Sequence, residues 1–177
     1  MFINSESSME EFIASDPVFT QEIADSFVLR DVELVGRQVN VGVKNRIDIL
    51  YKGISMLPRG GMVLVAVELK YRPLETKDFA QIGRYKSALE KFFDGLVDVR
   101  CALVGTGVTE ELAHSMNGQF YDPESNTLAI IRLNTSVKYE DVTGATWDCD
   151  DISGPSDVSL LEIKKAVCGE EEDGTRD

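Results

Sequence analysis

A chain of 177 residues with 43% hydrophobic and 28% charged residues can bury a sizeable core, and one globular domain is the default. No run approaches roughly 18 uninterrupted apolar residues, and Met1 to Glu11 lacks a basic segment followed by an apolar one. Neither a transmembrane helix nor a signal peptide is therefore expected. Cys101, Cys149 and Cys168 are odd in number and widely spaced, which fits reduced thiols in a cytoplasmic protein and argues against a disulfide framework or a zinc site. His114 is the single histidine, so His-rich metal sites are removed and a His-based triad is disfavoured.

Taken in order, Ser8 and Glu11 have the spacing of a capping box and predict a short helix over about Ser8–Ser15, ended by Asp16-Pro17. Phe19, Ile23 and Phe27 are four apart and predict a second helical segment to about Ser26. From Val32 to Val43 apolar residues alternate, with a change of phase near Gly36 that predicts a bulge in a long strand. A strand over Arg46–Tyr51 is expected to end at Lys52-Gly53. After the turn composition Pro58-Arg59-Gly60-Gly61, Met62–Lys70 is the most β-prone run. The short connections predict that these three strands pair antiparallel.

With Thr76 as N-cap, Phe79, Ile82, Leu89, Phe92 and Phe93 recur at helical spacing through Lys77–Phe93. A strand over Val97–Val104, a turn at Gly105-Thr106-Gly107, a short helix over Thr109–Met116 and a strand over Thr127–Leu133 follow. Lys138–Pro155 is acidic and irregular, with Trp147 as its only large anchor. Ser159–Val167 is a last helix, and Gly169–Asp177 reads as a disordered acidic tail. This order predicts an α/β fold with a mixed central β-sheet flanked by helices. Its expected divisions are a domain over residues 1–135, an acidic extension packed on it over 136–168, and the tail over 169–177.

The formal charge of −13, taken as a sum, argues against a nucleic-acid partner. The distribution reverses that argument. Residues 44–91 hold ten of the 18 Lys and Arg but five of the 31 acids (Asp48, Glu68, Glu75, Asp78, Glu90), so this window carries +5 and the remainder −18.

Within that window the apolar runs are broken by chemistry. Leu64, Ala66, Glu68 and Lys70 share one face of their strand, and Asp48 interrupts Ile47 and Ile49 on the strand before. If the two strands pair, Asp48 and Glu68 can converge on one cation, with the Leu69 carbonyl as a third ligand. Such hard oxygen donors suit Mg²⁺ or Mn²⁺. Lys70 beside them would orient or help deprotonate a water and offset developing charge. Gln81 and Tyr85 are four apart and share a helix face, with Arg84 beside it. The bland alternative for each acid is a solvated residue on an open sheet face. Interruption of two apolar runs inside the only basic window weighs against it.

Asp48…Glu68-x-Lys70 followed by Gln81-x-x-x-Tyr85 resembles the PD-(D/E)XK nuclease superfamily. The run from Glu10 to Leu133 is similar, more narrowly, to the C-terminal nuclease domain of the NucS (EndoMS) endonucleases. The similar pieces include residues 9–17, Leu34-Val35-Gly36-Arg37-Gln38-Val39, Arg46–Leu50, Val65–Lys70, Gln81–Tyr85 and the stretch from Ala102 to Thr109.

The resemblance implies a restriction-endonuclease-like core and metal-dependent cleavage of DNA. It implies Asp48 and Glu68 as metal ligands, Lys70 as the catalytic lysine, and Gln81 and Tyr85 as the helix pair completing the site. Glu10 would be the first-helix acid, with Glu11 adjoining it as the alternative. Family members also carry an N-terminal DNA-binding and dimerisation domain. This chain begins almost at the nuclease part, so mismatch recognition, dimerisation and clamp binding do not carry over.

The function expected from the sequence is hydrolysis of DNA phosphodiester bonds by a metal-activated water, on single-stranded, branched or mismatched DNA. Arg46, Arg72, Lys77 and Arg84 would contact phosphates. The acidic C-terminal part could dock a protein partner or a second copy of the chain. Two other functions fit the same residues: a catalytically inactive nuclease-fold binding or regulatory protein, and an acidic nucleic-acid mimic that inhibits a partner.

Overall fold

The structure, a computed structural model, describes residues 5–42, 45–58, 60–113, 127–133 and 159–168, with side chains of the last segment described as far as Lys164. The expectations for His114, the helix end at Met116, Trp147, Cys149, the acidic stretch and the tail lie outside the described residues.

The elements are α1 (Glu6–Ser15), α2 (Pro17–Phe27), β1 (Leu29–Asn40), β2 (Arg46–Ser55), β3 (Met62–Lys70), α3 (Thr76–Phe93), β4 (Asp98–Gly105), β5 (Leu128–Arg132) and α4 (Leu160–Cys168). They build one five-stranded sheet in the order β1-β2-β3-β4-β5. The first three strands are antiparallel neighbours, whereas β3, β4 and β5 run parallel, so the sheet is mixed as the element order predicts. A parallel step needs a crossover, and α3 supplies the one between β3 and β4.

Both faces of the sheet are covered. Met9, Ile13, Phe19, Ile23 and Phe27 of α1 and α2 pack on Ile49, Tyr51, Val65, Val67 and Leu69. On the other face Ile82, Tyr85, Leu89 and Phe93 of α3 pack on Leu50, Leu64, Ala66 and Leu103, and Ile163 of α4 joins them. Burial on both faces explains the nearly unbroken apolar run of β3, in which Val63 to Leu69 are all buried.

Four local details differ from the sequence expectations. Ser5, not Ser8, caps α1: its side chain accepts from the Ser8 N–H at 3.1 Å, and the Ser8 hydroxyl answers the Ser5 N–H. Two serines three apart offer two equivalent frames, and the earlier one wins an extra turn. At α3 the cap is Glu75 rather than Thr76, because the Asp78 carboxylate accepts the Glu75 N–H at 2.8 Å.

Strand β2 does not stop at Gly53. A Cβ there would lie 3.2 Å from Val32 and 3.3 Å from Leu29, so the glycine lets β1 press close across the ladder. The expected irregularity at Gly36 is present as a register shift between Leu34 and Gly36. A second shift lies between Arg30 and Glu33, where Asp31 takes a left-handed φ of 53°.

Candidate active site

The site forms where β2 and β3 part. Their ladder runs from Ile54↔Met62 to Ile49↔Val67 and includes no pair beyond it. Past that point the Asp48 side chain takes over: its Oδ2 accepts the Leu69 N–H at 2.8 Å. In an extended strand the N–H and C=O of one residue face the same edge, so the Leu69 carbonyl also faces β2. Beyond Lys70 the chain is pinned by Leu74 N–H to Gly107 carbonyl (2.9 Å) and Thr106 N–H to Arg72 carbonyl (3.2 Å). Gly105 permits this closeness, because a Cβ there would sit 2.7 Å from Leu74. The Gly105-Thr106-Gly107 turn thereby fixes the direction in which Lys70 leaves the sheet.

Glu68 is 1% exposed. Its Oε1 accepts from Lys70 Nζ at 2.5 Å and from Gln81 Nε2 at 2.6 Å, and Gln81 Nε2 also donates to the Tyr85 hydroxyl oxygen at 2.7 Å. The Tyr85 oxygen therefore still has its own hydrogen to give. Glu68 Oε2 is buried with no hydrogen-bond partner. Buried polar atoms are nearly always paired, and a bare carboxylate oxygen is among the costliest to leave unpaired.

The electrostatics follow from this crowding. Burial pushes the Asp48 carboxyl up to about 6, against the pull of the Leu69 N–H and of Lys70. Burial, reinforced by the Asp48 charge, pushes Glu68 up to about 7. Burial alone would lower Lys70, but its hydrogen bond to Glu68 and the surrounding acids outweigh that and hold it above its ordinary value. Burial raises Tyr85 as well. Two carboxyls that resist ionising together, one with an unpartnered oxygen, form a donor set that a hard divalent cation would relieve. Among the described residues no group of three or more His, Cys, Asp or Glu side chains is suited to a metal. A cation here would rest on Asp48, Glu68 and the Leu69 carbonyl.

Glu10 faces this cluster from α1, whereas Glu11 is exposed. Both Glu10 oxygens are engaged: Oε1 by Arg37 Nε at 2.9 Å and Oε2 by Gln38 Nε2 at 2.5 Å. Gln38 Nε2 also reaches Asp48 Oδ1 at 3.3 Å. Arg37 and Gln38 fall in the similar run Leu34–Val39, but neither is expected as a site residue from the sequence. The available signal is weak, a polar pair just past the bulge at Gly36.

The four expected phosphate contacts are placed differently from one another. Arg46 is exposed and, with Asn40, Gly42, Asn45 and Tyr85, lines a cleft of about 390 Å³. Arg84 is exposed on α3. Lys77 is exposed but leans on Glu75 at 2.7 Å. Arg72 is half-buried and engaged within the chain. Its guanidinium grips buried Asp78 through two hydrogen bonds of 2.9 and 2.8 Å and pairs with Glu75 at 3.1 Å, so it ties the end of β3 to the start of α3. Cys101 is buried, its thiol pushed up to about 12 by that burial, which leaves it inert at neutral pH. No helix among the described residues is long and apolar enough to cross a membrane.

No family profile matches the chain, and no curated protein sequence does. Solved structures similar to it include an EndoMS–dsDNA2 complex, at 21% identity and a TM-score of 0.48 over 76% of this chain and 46% of that one. A repair endonuclease from Pyrococcus abyssi is similar at 21% identity and a TM-score of 0.44, over 76% and 49% of the two chains. EndoMS in apo form is similar at 19% identity and a TM-score of 0.41, over 76% and 48%. This chain thus spans slightly less than half the length of each of these three.

Proposed function

We propose that the chain is a divalent-cation-dependent endonuclease that hydrolyses DNA phosphodiester bonds. The observation that carries the proposal is Glu68: fully buried, held on one oxygen by Lys70 and Gln81, and bare on the other, with Asp48 on the adjoining strand. A sheet face built only for stability would have no reason to bury a half-satisfied carboxylate.

Asp48, Glu68 and the Leu69 carbonyl would hold Mg²⁺ or Mn²⁺. When bound, the cation supplies Lewis-acid polarisation of a phosphoryl oxygen and an acidified water. The rest is the work of the chain. Lys70, kept protonated by Glu68, offers charge and N–H groups to the phosphate or to the attacking water; in this state it is a donor and not a base. Gln81 fixes the Glu68 oxygen that Lys70 also uses, and Tyr85 anchors Gln81. Exposed Arg46 and Arg84 supply the positive surface on which the backbone of the nucleic acid would lie. In the reaction the water oxygen bonds to phosphorus as one P–O ester bond breaks. The products are a phosphate monoester end and a hydroxyl end.

A cleavage panel of single-stranded, duplex, mismatched and branched DNA, each with Mg²⁺, Mn²⁺ or EDTA, tests the proposal. Cation-dependent cutting of at least one form is expected. No cutting of any form would overturn it and leave the inactive nuclease-fold or nucleic-acid-mimic function in its place.

A further inference from the structure

We infer that Gln38 is a positioning residue, one that ties the Asp48 carboxylate to Glu10 and so holds Asp48 in an orientation that can receive the cation. The inference rests on the cation site proposed above and extends it to a residue that contributes no ligand.

Three observations carry it. Gln38 has a left-handed φ of 50° in the middle of β1, a conformation costly to any residue with a Cβ. The register is the same on either side of it, with Arg37 opposite Ile49 and Val39 opposite Ile47 and only the Gln38–Asp48 pair missing, so the conformation is not the by-product of a register shift. The side chain so aimed spans two other elements: its Nε2 lies 2.5 Å from Glu10 Oε2 on α1 and 3.3 Å from Asp48 Oδ1 on β2. Between two carboxylates an amide must present its NH₂ end, which carries two hydrogens and can donate to both partners, and not its carbonyl oxygen, which can only accept.

Asp48 is thus fixed from two directions, by Gln38 on Oδ1 and by the Leu69 N–H on Oδ2. Glu10 is the anchor of this arrangement: Arg37 and Gln38 occupy both its oxygens, in contrast to the bare oxygen of Glu68. Hydrogen-bonded partners behind a metal-binding carboxylate set its orientation, and their loss typically lowers metal affinity about 10–100-fold.

The test is Mn²⁺ titration calorimetry on the full chain and on Gln38→Asn, with circular dichroism as the check of folding. Asparagine keeps the amide and tolerates a left-handed backbone, but it is one methylene too short to bridge the two acids. The expected result is a folded variant that binds Mn²⁺ about 10–100-fold more weakly. Its cleavage rate should recover as Mn²⁺ is raised, which a purely structural defect would not show. Should Gln38→Asn fold poorly, Gln38→Gly relieves the backbone and is expected to show the same loss. A folded variant with Mn²⁺ affinity within about twofold of wild type, far short of the loss expected for a positioning group, would overturn the role of Gln38. A wild-type chain that binds no Mn²⁺ would overturn the site itself.

Discussion

Replacing Glu68 with glutamine separates the cost of the candidate site from its use. The side chain is buried, and its carboxyl is raised from an ordinary 4.5 to about 7 by burial and by Asp48. Keeping that group ionised at neutral pH therefore costs the metal-free fold at most about 3 kcal/mol, and about 1–3 kcal/mol once its coupling to Asp48 is allowed for. Glutamine has the same shape, can present its oxygen to Lys70 and Gln81, and carries no charge. In EDTA near pH 8 the Glu68→Gln protein should be more stable than wild type by about 1–3 kcal/mol, which for a chain of this size is about 3–9 °C in Tm.

The pH dependence has a definite sign. Native Glu68 holds its proton to a higher pH than the unfolded chain does, so its contribution is present at low pH and lost as pH rises from about 4.5 through about 7. The gap between variant and wild type should narrow near pH 5.5. Mn²⁺ at about a hundred times its Kd should add about 2.7 kcal/mol to the wild type and much less to the variant. Scanning calorimetry across these conditions measures all three effects. A variant less stable than wild type in EDTA near pH 8, or one stabilised equally by Mn²⁺, would refute the reasoning.

Asp78 is 1% exposed and neutralised by Arg72, so Asp78→Ala should lower the unfolding free energy by about 2–4 kcal/mol in urea titrations, whereas a loss below about 0.5 kcal/mol would show the pair to be idle. Arg46→Ala and Arg84→Ala should each reduce the slope of log affinity for DNA against log salt by about one while leaving the fold unchanged. An unchanged slope would remove that arginine from the contact surface.

The parts of this site that rest on local pattern were legible in the sequence. Asp48 and Glu68 break apolar runs, Lys70 shares a strand face with Glu68, and Gln81 and Tyr85 are one helical turn apart. The structure brings these five residues and Leu69 together. What was not legible depends on backbone irregularity or on contacts between elements. The facing of β1 cannot be read through two register shifts, and a left-handed glutamine is invisible to periodicity, so Gln38, although it lies in the quoted run Leu34–Val39, had no expected place in the site. The pairing of Arg72 was not legible either, because nothing local shows that Asp78, in the first turn of α3, is buried and held by that guanidinium. Gly53 looked like a strand end because the strand packed against it arrives from elsewhere in the chain.

The most direct test of the central claim compares wild type with Asp48→Asn and Lys70→Met on the DNA form that is cut best, in Mn²⁺ and in EDTA, with folding verified for each protein. The account predicts cutting by wild type in Mn²⁺ alone and a loss of at least about a hundredfold in both folded variants. Cutting at the wild-type rate by either folded variant, or by wild type in EDTA, would contradict it.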